Sequence, residues 1–116
     1  MRYICLIYDS EAQYATMTEA EQQADMAAYF SFSDAVNKAG IDRGGDALMP
    51  TSMATTVRVR DGKIVTTDGP FAETKEQLGG FYTLECANLD EAIEWAAKIP
   101  GAAHGSVEVR PVMEFN

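Results

Sequence analysis

The sequence predicts an α+β domain of the ferredoxin-like kind, in which two helices cover one face of an antiparallel sheet. Three observations predict this fold class. β-Rich runs and two capped helical segments follow one another as strand, helix, strand, hairpin, strand, helix and strand. A single Asp-Gly turn joins the two hairpin strands. A chain of 116 residues fits one domain, so we expect a single domain over residues 1–116.

The first strand and the first long helix follow from the opening third of the chain. Residues 2–8 alternate apolar side chains on both faces, which is typical of a strand covered on both sides. Thr18 and Glu21 form a capping box, and Gly40 is a typical stop, so a helix should extend to about Ala39. Its apolar stripe is predicted to contain Met26, Tyr29, Phe30, Ser33 and Val36.

A short strand over residues 41–48, ended by Pro50, should precede the hairpin. Asp61-Gly62 is the hairpin turn, of type I′, between strands at 55–60 and 63–67. Pairing outward from the turn places Arg60 opposite Lys63. This register predicts one shared face, expected to be buried, made of Val57, Val59, Ile64 and Thr66.

The last third of the chain should add a strand, a helix and a final strand. Residues 81–86 follow Gly79-Gly80 and read as a strand. Asn88 caps the second helix, which should extend to about Ile99 before Pro100-Gly101 ends it. Residues 107–112 form the final strand. The inner stripe of the second helix is predicted to be Leu89, Ile93, Ala96 and Ala97.

Two helices can cover only one face of this sheet, and the other face has no cover within the chain. If Leu84 points at the helices, Phe81 and Glu85 point at the open face, and Glu108 and Arg110 do the same from the last strand. Because buried charges need partners, a Glu85–Arg110 or Glu108–Arg110 pair is expected there. A second copy packed on the open face would complete a dimeric α/β barrel.

Composition narrows the classes of partner. Nine basic and eighteen acidic residues give a net charge of −9, and phosphate binding needs a basic surface. We therefore expect no nucleic acid and no acidic membrane surface as partners. The two cysteines, Cys5 and Cys86, read as buried thiols of a reducing compartment. The sequence contains no signal peptide, membrane span, metal-ligand spacing or nucleotide motif, so we expect a cytoplasmic protein with no metal and no cofactor.

Candidate chemistry concentrates in TDGPFAETKE, residues 67–76. Asp68-Gly69-Pro70 is turn chemistry, Phe71 could pack beneath the loop, and residues 73–76 could form one helical turn. The segment is either a capped turn between strands or the lip of a cleft. In the second interpretation the proton carriers are Asp68 and Glu76, the anion-holding groups are Lys75 and Arg110, and the apolar walls are Tyr8 and Phe71.

His104, the single histidine, lies in the loop AAHGS. It is either a surface residue or a general base.

Four segments carry a resemblance to a known family. They are RYICLIYDSEA, TDGPFAETKEQLGGFYTLE, AIEWAAKIP and GSVEVRPV. The chain resembles the YCII-related proteins in their DGPF branch, and the resemblance implies a dimeric ferredoxin-like fold. It also implies a link to sigma-factor-like proteins for some members, and a His–Asp pair for acid–base chemistry in the wider family. The histidine of that pair falls near Tyr29, where this helix has none, so the pair is not carried over.

Two functions of different classes follow as expectations. The first is a homodimer that binds a small polar or anionic metabolite beside the DGPF loop, with lyase- or isomerase-like chemistry. The alternative is a non-enzymatic interaction module with a sigma-factor-like protein partner, since a net charge of −9 suits docking onto a basic protein. A ligand sensor without turnover is a third option, so the sequence leaves open whether the protein is an enzyme.

Overall fold

The computed structural model describes residues 1–115. Four strands form one antiparallel sheet in the order β2-β5-β1-β6, and β3 and β4 form a separate hairpin. This order and the helices between the strands are those of a ferredoxin-like fold, as predicted. Two 3₁₀ turns lie at Thr51–Met53 and Pro100–Ala103. The elements are β1 Arg2–Asp9, α1 Glu11–Tyr14, α2 Glu19–Lys38, β2 Asp42–Ala47, β3 Thr55–Arg60, β4 Lys63–Asp68, β5 Gln77–Glu85, α3 Leu89–Ala96 and β6 Ser106–Pro111.

Helix α2 begins and ends where the sequence predicts. Thr18 and Glu21 form the reciprocal capping box, and Gly40 has a positive φ of 73° after the helix. The predicted stripe is wrong at Phe30, which is 69% exposed, whereas Phe32 is buried with Val36. The aromatic that enters the core is therefore Phe32, which packs edge-on against Tyr82. No helix within residues 1–115 is both long and apolar enough to cross a membrane.

The predicted inner stripe of α3 is wrong in part, and the helix is shorter than predicted. Leu89 and Ile93 are about half exposed, while Ala92 and Ala96 are buried. Small residues on the inner side let α3 lie close to the sheet, with Trp95 packed against the core and Leu89 and Ile93 projecting outward. The buried core consists of Tyr3, Cys5, Ile7, Phe32, Val36, Leu84, Cys86, Ala92, Ala96 and Ile99.

The hairpin has the predicted register and lacks the predicted cover. Arg60 pairs with Lys63 and Val59 with Ile64, and Asp61 and Gly62 both have positive φ, as a type I′ turn requires. However, Val59 is 61% and Ile64 is 76% exposed. Within residues 1–115, no other element covers this apolar face of the hairpin. The radius of gyration is accordingly 16.1 Å, against about 13 Å for a compact chain of this length.

The open face of the sheet has the predicted residues but different ion pairs. Glu85 pairs with the amino group of Met1. The Tyr8 hydroxyl lies 3.4 Å from Glu108. Neither the Glu85–Arg110 nor the Glu108–Arg110 pair forms, and within residues 1–115 Arg110 has no ion-pair partner. On this face the charge of Glu85 is therefore paired with the amino terminus, whereas within residues 1–115 the charge of Arg110 is unpaired.

Candidate functional site

A cleft of about 740 Å³ lies between α1, α2 and the β2–β5 edge of the sheet, and we call it the α2 cleft. Its floor is made of small residues. Gly45 pairs with Tyr82, and Ala47 pairs with Gly80, which places Gly45, Ala47 and Gly80 at positions that face the helices. Because these positions carry little or no side chain, they do not fill the space between the sheet and the first half of α2.

The wall of the α2 cleft is one stripe of α2. Asp25, Met26, Tyr29, Phe30 and Ser33 line it, at spacings of one, three or four residues that keep side chains on one side of a helix. Met26 and Phe30 were predicted to be core residues. They are exposed because they face this space instead of the sheet.

The loop before β6 approaches β1 and α2 tightly, next to the α2 cleft. The Gly101 N–H donates to the Tyr29 hydroxyl at 3.1 Å. A Cβ on Gly101 would lie 2.7 Å from that hydroxyl oxygen, and a Cβ on Gly105 would lie 2.2 Å from the Tyr8 carbonyl oxygen. Only glycine permits this approach, and the approach carries His104 to the end of β1.

His104 lies between two carboxylates. Its Nδ1 is 3.0 Å from Asp9 Oδ2, and its Nε2 is 3.9 Å from Asp25 Oδ1. In a neutral imidazole the Asp9 contact places the proton on Nδ1, which leaves the lone pair of Nε2 on the side of Asp25, a residue that lines the cleft. A histidine that one carboxylate orients and whose other nitrogen is free is the arrangement of a general base.

Tyr29 adds a neutral hydroxyl to the same wall. Burial, assisted by the negative charge of Asp25, raises the pKa of Tyr29 to about 12. The phenol therefore keeps its proton at any physiological pH. Since its oxygen already accepts a hydrogen bond from Gly101, its own O–H remains free to donate.

A second cleft, of about 540 Å³, lies beside the DGPF loop, residues 68–76, and we call it the DGPF cleft. Asp68, Glu73 and Thr74 line it together with Thr51. Two predictions for this loop are wrong. Phe71 does not pack beneath the loop, since it is 77% exposed, and residues 73–76 form no helical turn. Glu76 instead accepts a hydrogen bond from Ser106 at 3.0 Å.

The structure does not bring the sequence-predicted site residues together. Of that set, Asp68 alone lines the DGPF cleft. Tyr8 and Arg110 lie on the open face of the sheet, because they alternate with Ile7 and Val109, which lie on the helix side. Lys75 is exposed in the loop. Within residues 1–115, no lysine or arginine lines either cleft.

The sequence interpretation did not assign Asp9, Asp25 or Tyr29 to a functional site, and it left open whether His104 is a surface residue or a general base. Their grouping depends on the fold, because the loop that carries His104 is far from both acids in sequence. The available signal was the spacing of Asp25 and Tyr29, four residues apart on one helix. Within residues 1–115, no cluster of three or more His, Cys, Asp or Glu side chains could hold a metal ion.

Comparison with known proteins places the chain in a family. A family model described as the YCII-related domain matches residues 1–116. The chain is also 39% identical over 114 residues to an uncharacterized protein, R00369, of Rhizobium meliloti (strain 1021), covering 97% of this chain and 92% of that protein. The match extends through α2, the DGPF loop and the loop that carries His104. The protein is therefore a member of the YCII-related family.

Proposed function

We propose that the protein binds a small molecule in the α2 cleft and catalyses a proton transfer on it, as a lyase or isomerase does. The observation that carries the proposal is the Asp9–His104–Asp25 arrangement at the edge of a cleft of about 740 Å³. That volume lies within the range of small-molecule sites, roughly 300–1,000 Å³. The function lies at the α2 cleft instead of beside the DGPF loop.

Each residue has a distinct role in this proposal. Asp9 orients His104 through Nδ1, and His104 Nε2 removes a proton from the ligand. Asp25 anchors the polar end of the ligand beside that nitrogen. The neutral Tyr29 hydroxyl donates to the group on which negative charge develops. The gap of 3.9 Å between His104 and Asp25 leaves an approach to Nε2 from the cleft, and catalytic contacts often shorten in the ligand complex.

The test is a thermal-shift screen of small metabolites, followed by deuterium exchange. Ligands of the α2 cleft should raise the melting temperature of the wild type. They should not raise that of Ala47→Phe, which fills the floor without changing a charge. Wild-type protein in D₂O should then place deuterium at one carbon of a bound ligand, and His104→Gln should lose that exchange while keeping the thermal shift. Ligands that stabilise wild type and Ala47→Phe equally would contradict the proposal.

We further propose that a second copy of the chain covers the open face and the hairpin. The apolar side chains of Val57, Val59 and Ile64 are exposed on one hairpin face, and Leu6 and Phe81 lie on the open face of the sheet. Water-exposed apolar surface of this kind marks an interface. A homodimer would remove both surfaces from water at once.

Light scattering during size-exclusion chromatography tests the assembly. The wild type should elute as a dimer, and Ile64→Lys should shift it toward monomer, whereas Lys63→Ala beside it should not. A monomeric wild type that instead captures a sigma-factor-like protein would favour the interaction module. The roles of Asp68 and Glu76 as proton carriers and of Lys75 and Arg110 in holding an anion stay predictions, and charge-removing variants at these four positions test them in the same screen.

A further inference from the structure

The charges around the α2 cleft are all of one sign. Among residues 1–115 its lining includes Asp9, Glu11, Asp25 and Asp46, and it includes neither lysine nor arginine. An anionic group placed there would face the carboxylates of Asp9, Glu11 and Asp25 without a counter-charge, while Asp46 alternates with Gly45 and Ala47 and points to the other face of the sheet. Because like charges at short range repel in a partly dry site, the cleft disfavours carboxylate and phosphate ligands.

Two of these carboxylates already have partners. Asp9 contacts His104 and accepts from the Ser10 N–H at 2.8 Å. Glu11 accepts from both the Thr51 N–H, at 2.9 Å, and the Thr51 hydroxyl, at 2.5 Å. These bonds join α1 to the turn that follows β2. Both residues therefore support the cleft and are not free to hold a ligand.

Asp25 differs, because it is largely buried and has no donor. Its side chain is 19% exposed, and within residues 1–115 it accepts no hydrogen bond. It also lies 3.9 Å from His104 Nε2, beyond hydrogen-bond range. A carboxylate that is partly shielded from water and has no donor from the protein gains from a donor that a ligand supplies.

The walls beside Asp25 are apolar and aromatic. Met26 and Phe30 stand on α2 next to it, and Tyr14 faces them from α1. All three are exposed to the cleft or its mouth. Such walls suit a flat apolar body, and aromatic faces also attract a cation within about 6 Å.

We propose that the ligand of the α2 cleft is a primary or secondary amine with an apolar body, whose ammonium group binds Asp25. This inference rests on the proposed function, because it names the substrate class of the same site. The ammonium donates to the unpartnered carboxylate of Asp25, and the apolar body lies against Phe30 and Tyr14. Where the carbon next to the nitrogen also carries a carbonyl group, His104 Nε2 can take the proton of that carbon, and the electron pair passes to the carbonyl oxygen, to which the Tyr29 hydroxyl donates.

The test uses three probes of matched shape, phenethylamine, phenethyl alcohol and phenylacetate, with binding measured by calorimetry at neutral pH. Phenethylamine should bind at least tenfold more tightly than phenethyl alcohol, and phenylacetate should not bind measurably. Asp25→Asn should weaken phenethylamine at least tenfold and leave phenethyl alcohol unchanged. The matched control is Asp34→Asn, an exposed acid on the same helix paired with Lys38, which should leave all three unchanged.

The outcomes separate the two proposals. If phenethylamine and phenethyl alcohol bind equally tightly and Asp25→Asn changes neither affinity, the proposed ligand class is wrong, but the α2 cleft remains the proposed site. Phenylacetate binding as tightly as phenethylamine would also overturn it. Binding of all three that survives in Ala47→Phe would place the probes elsewhere and overturn both proposals. Thermal melts of each variant confirm that the protein remains folded. If Asp25→Asn does not fold, the relative affinities of the three probes for the wild type decide whether the ligand is an amine.

Discussion

The two clefts are similar in volume but differ in what holds them in place. The α2 cleft, of about 740 Å³, is formed by β1, α2 and β5, which the buried core packs together, and by β2, which pairs with β5. The DGPF cleft, of about 540 Å³, is lined mainly by loop residues, and residues 70–75 are all exposed. A conspicuous motif in the sequence therefore need not be the best-supported site, since a ligand is bound most precisely by groups that the core holds fixed.

Support for the α2 cleft comes from the opposite side of the same helix. Phe32 and Val36 are buried against the sheet, and Phe32 contacts Tyr82 with ring centroids 4.9 Å apart. These contacts fix α2, and with it Asp25 and Tyr29. Three variants each disturb one contact that holds the α2 cleft in place, and a fourth variant changes the DGPF loop for comparison.

Phe32→Ala should have the largest effect. Removing a buried aromatic leaves a cavity, which costs roughly 3–5 kcal/mol of folding free energy. Urea unfolding followed by circular dichroism measures this loss. A loss below about 1 kcal/mol would mean that α2 is not anchored by the core, and the contrast between the two clefts would fail.

Gly105→Ala should come next. The new Cβ would lie 2.2 Å from the Tyr8 carbonyl oxygen, so the loop must shift, at a cost of about 1–3 kcal/mol. The shift should also separate His104 from Asp9, which NMR of the imidazole ring reports directly. Gly62→Ala in the hairpin turn is the control, since it should destabilise the turn and leave the His104 signals in place.

Tyr29→Phe should cost about 1 kcal/mol, the net value of one hydrogen bond, because the Gly101 N–H loses its acceptor. The substitution should also change how the free energy of unfolding depends on pH in alkaline solution. Since the pKa of Tyr29 is raised to about 12 when folded, its contribution is complete below pH 10 and is lost as pH rises toward 12. The wild type should therefore lose stability more steeply than Tyr29→Phe across that window, and identical slopes in urea titrations would contradict this role.

Phe71→Ala should have the smallest effect. An exposed side chain that packs on nothing contributes within about 0.5 kcal/mol. The same urea experiment checks it beside Phe32→Ala. A loss of several kcal/mol would show that the loop is held by contacts in solution, for example with a second copy, and would narrow the difference between the clefts.

The features predicted correctly from the sequence are those set by neighbouring residues. The capping box of Thr18 and Glu21 begins α2 as predicted, and Asp61-Gly62 sets the hairpin register. The alternation of side chains along β5 and β6 correctly predicted which residues face the helices and which lie on the open face of the sheet. In each case the controlling contacts span only a few residues, so pattern and turn chemistry were sufficient.

The features that sequence could not predict depend on distant contacts. Phe30 and Phe32 are both apolar residues of one helix, and which of them faces the core depends on distant contacts such as that of Phe32 with Tyr82. His104 meets Asp9 because Gly105 fits against Tyr8, a contact between chain segments about a hundred residues apart. The alternation of side chains in the hairpin predicted that Val59 and Ile64 are buried, but within residues 1–115 no other part of the chain covers them.

Backbone amide NMR of the wild type during a titration with phenethylamine tests the central claim most directly. If the α2 cleft is the ligand site, saturable shifts should appear at Asp9, Asp25, Tyr29 and residues 101–105. Signals of residues 68–76 should remain in place. Saturable shifts confined to residues 68–76, with those of α2 unmoved, would show that the DGPF cleft is the site and would contradict the account.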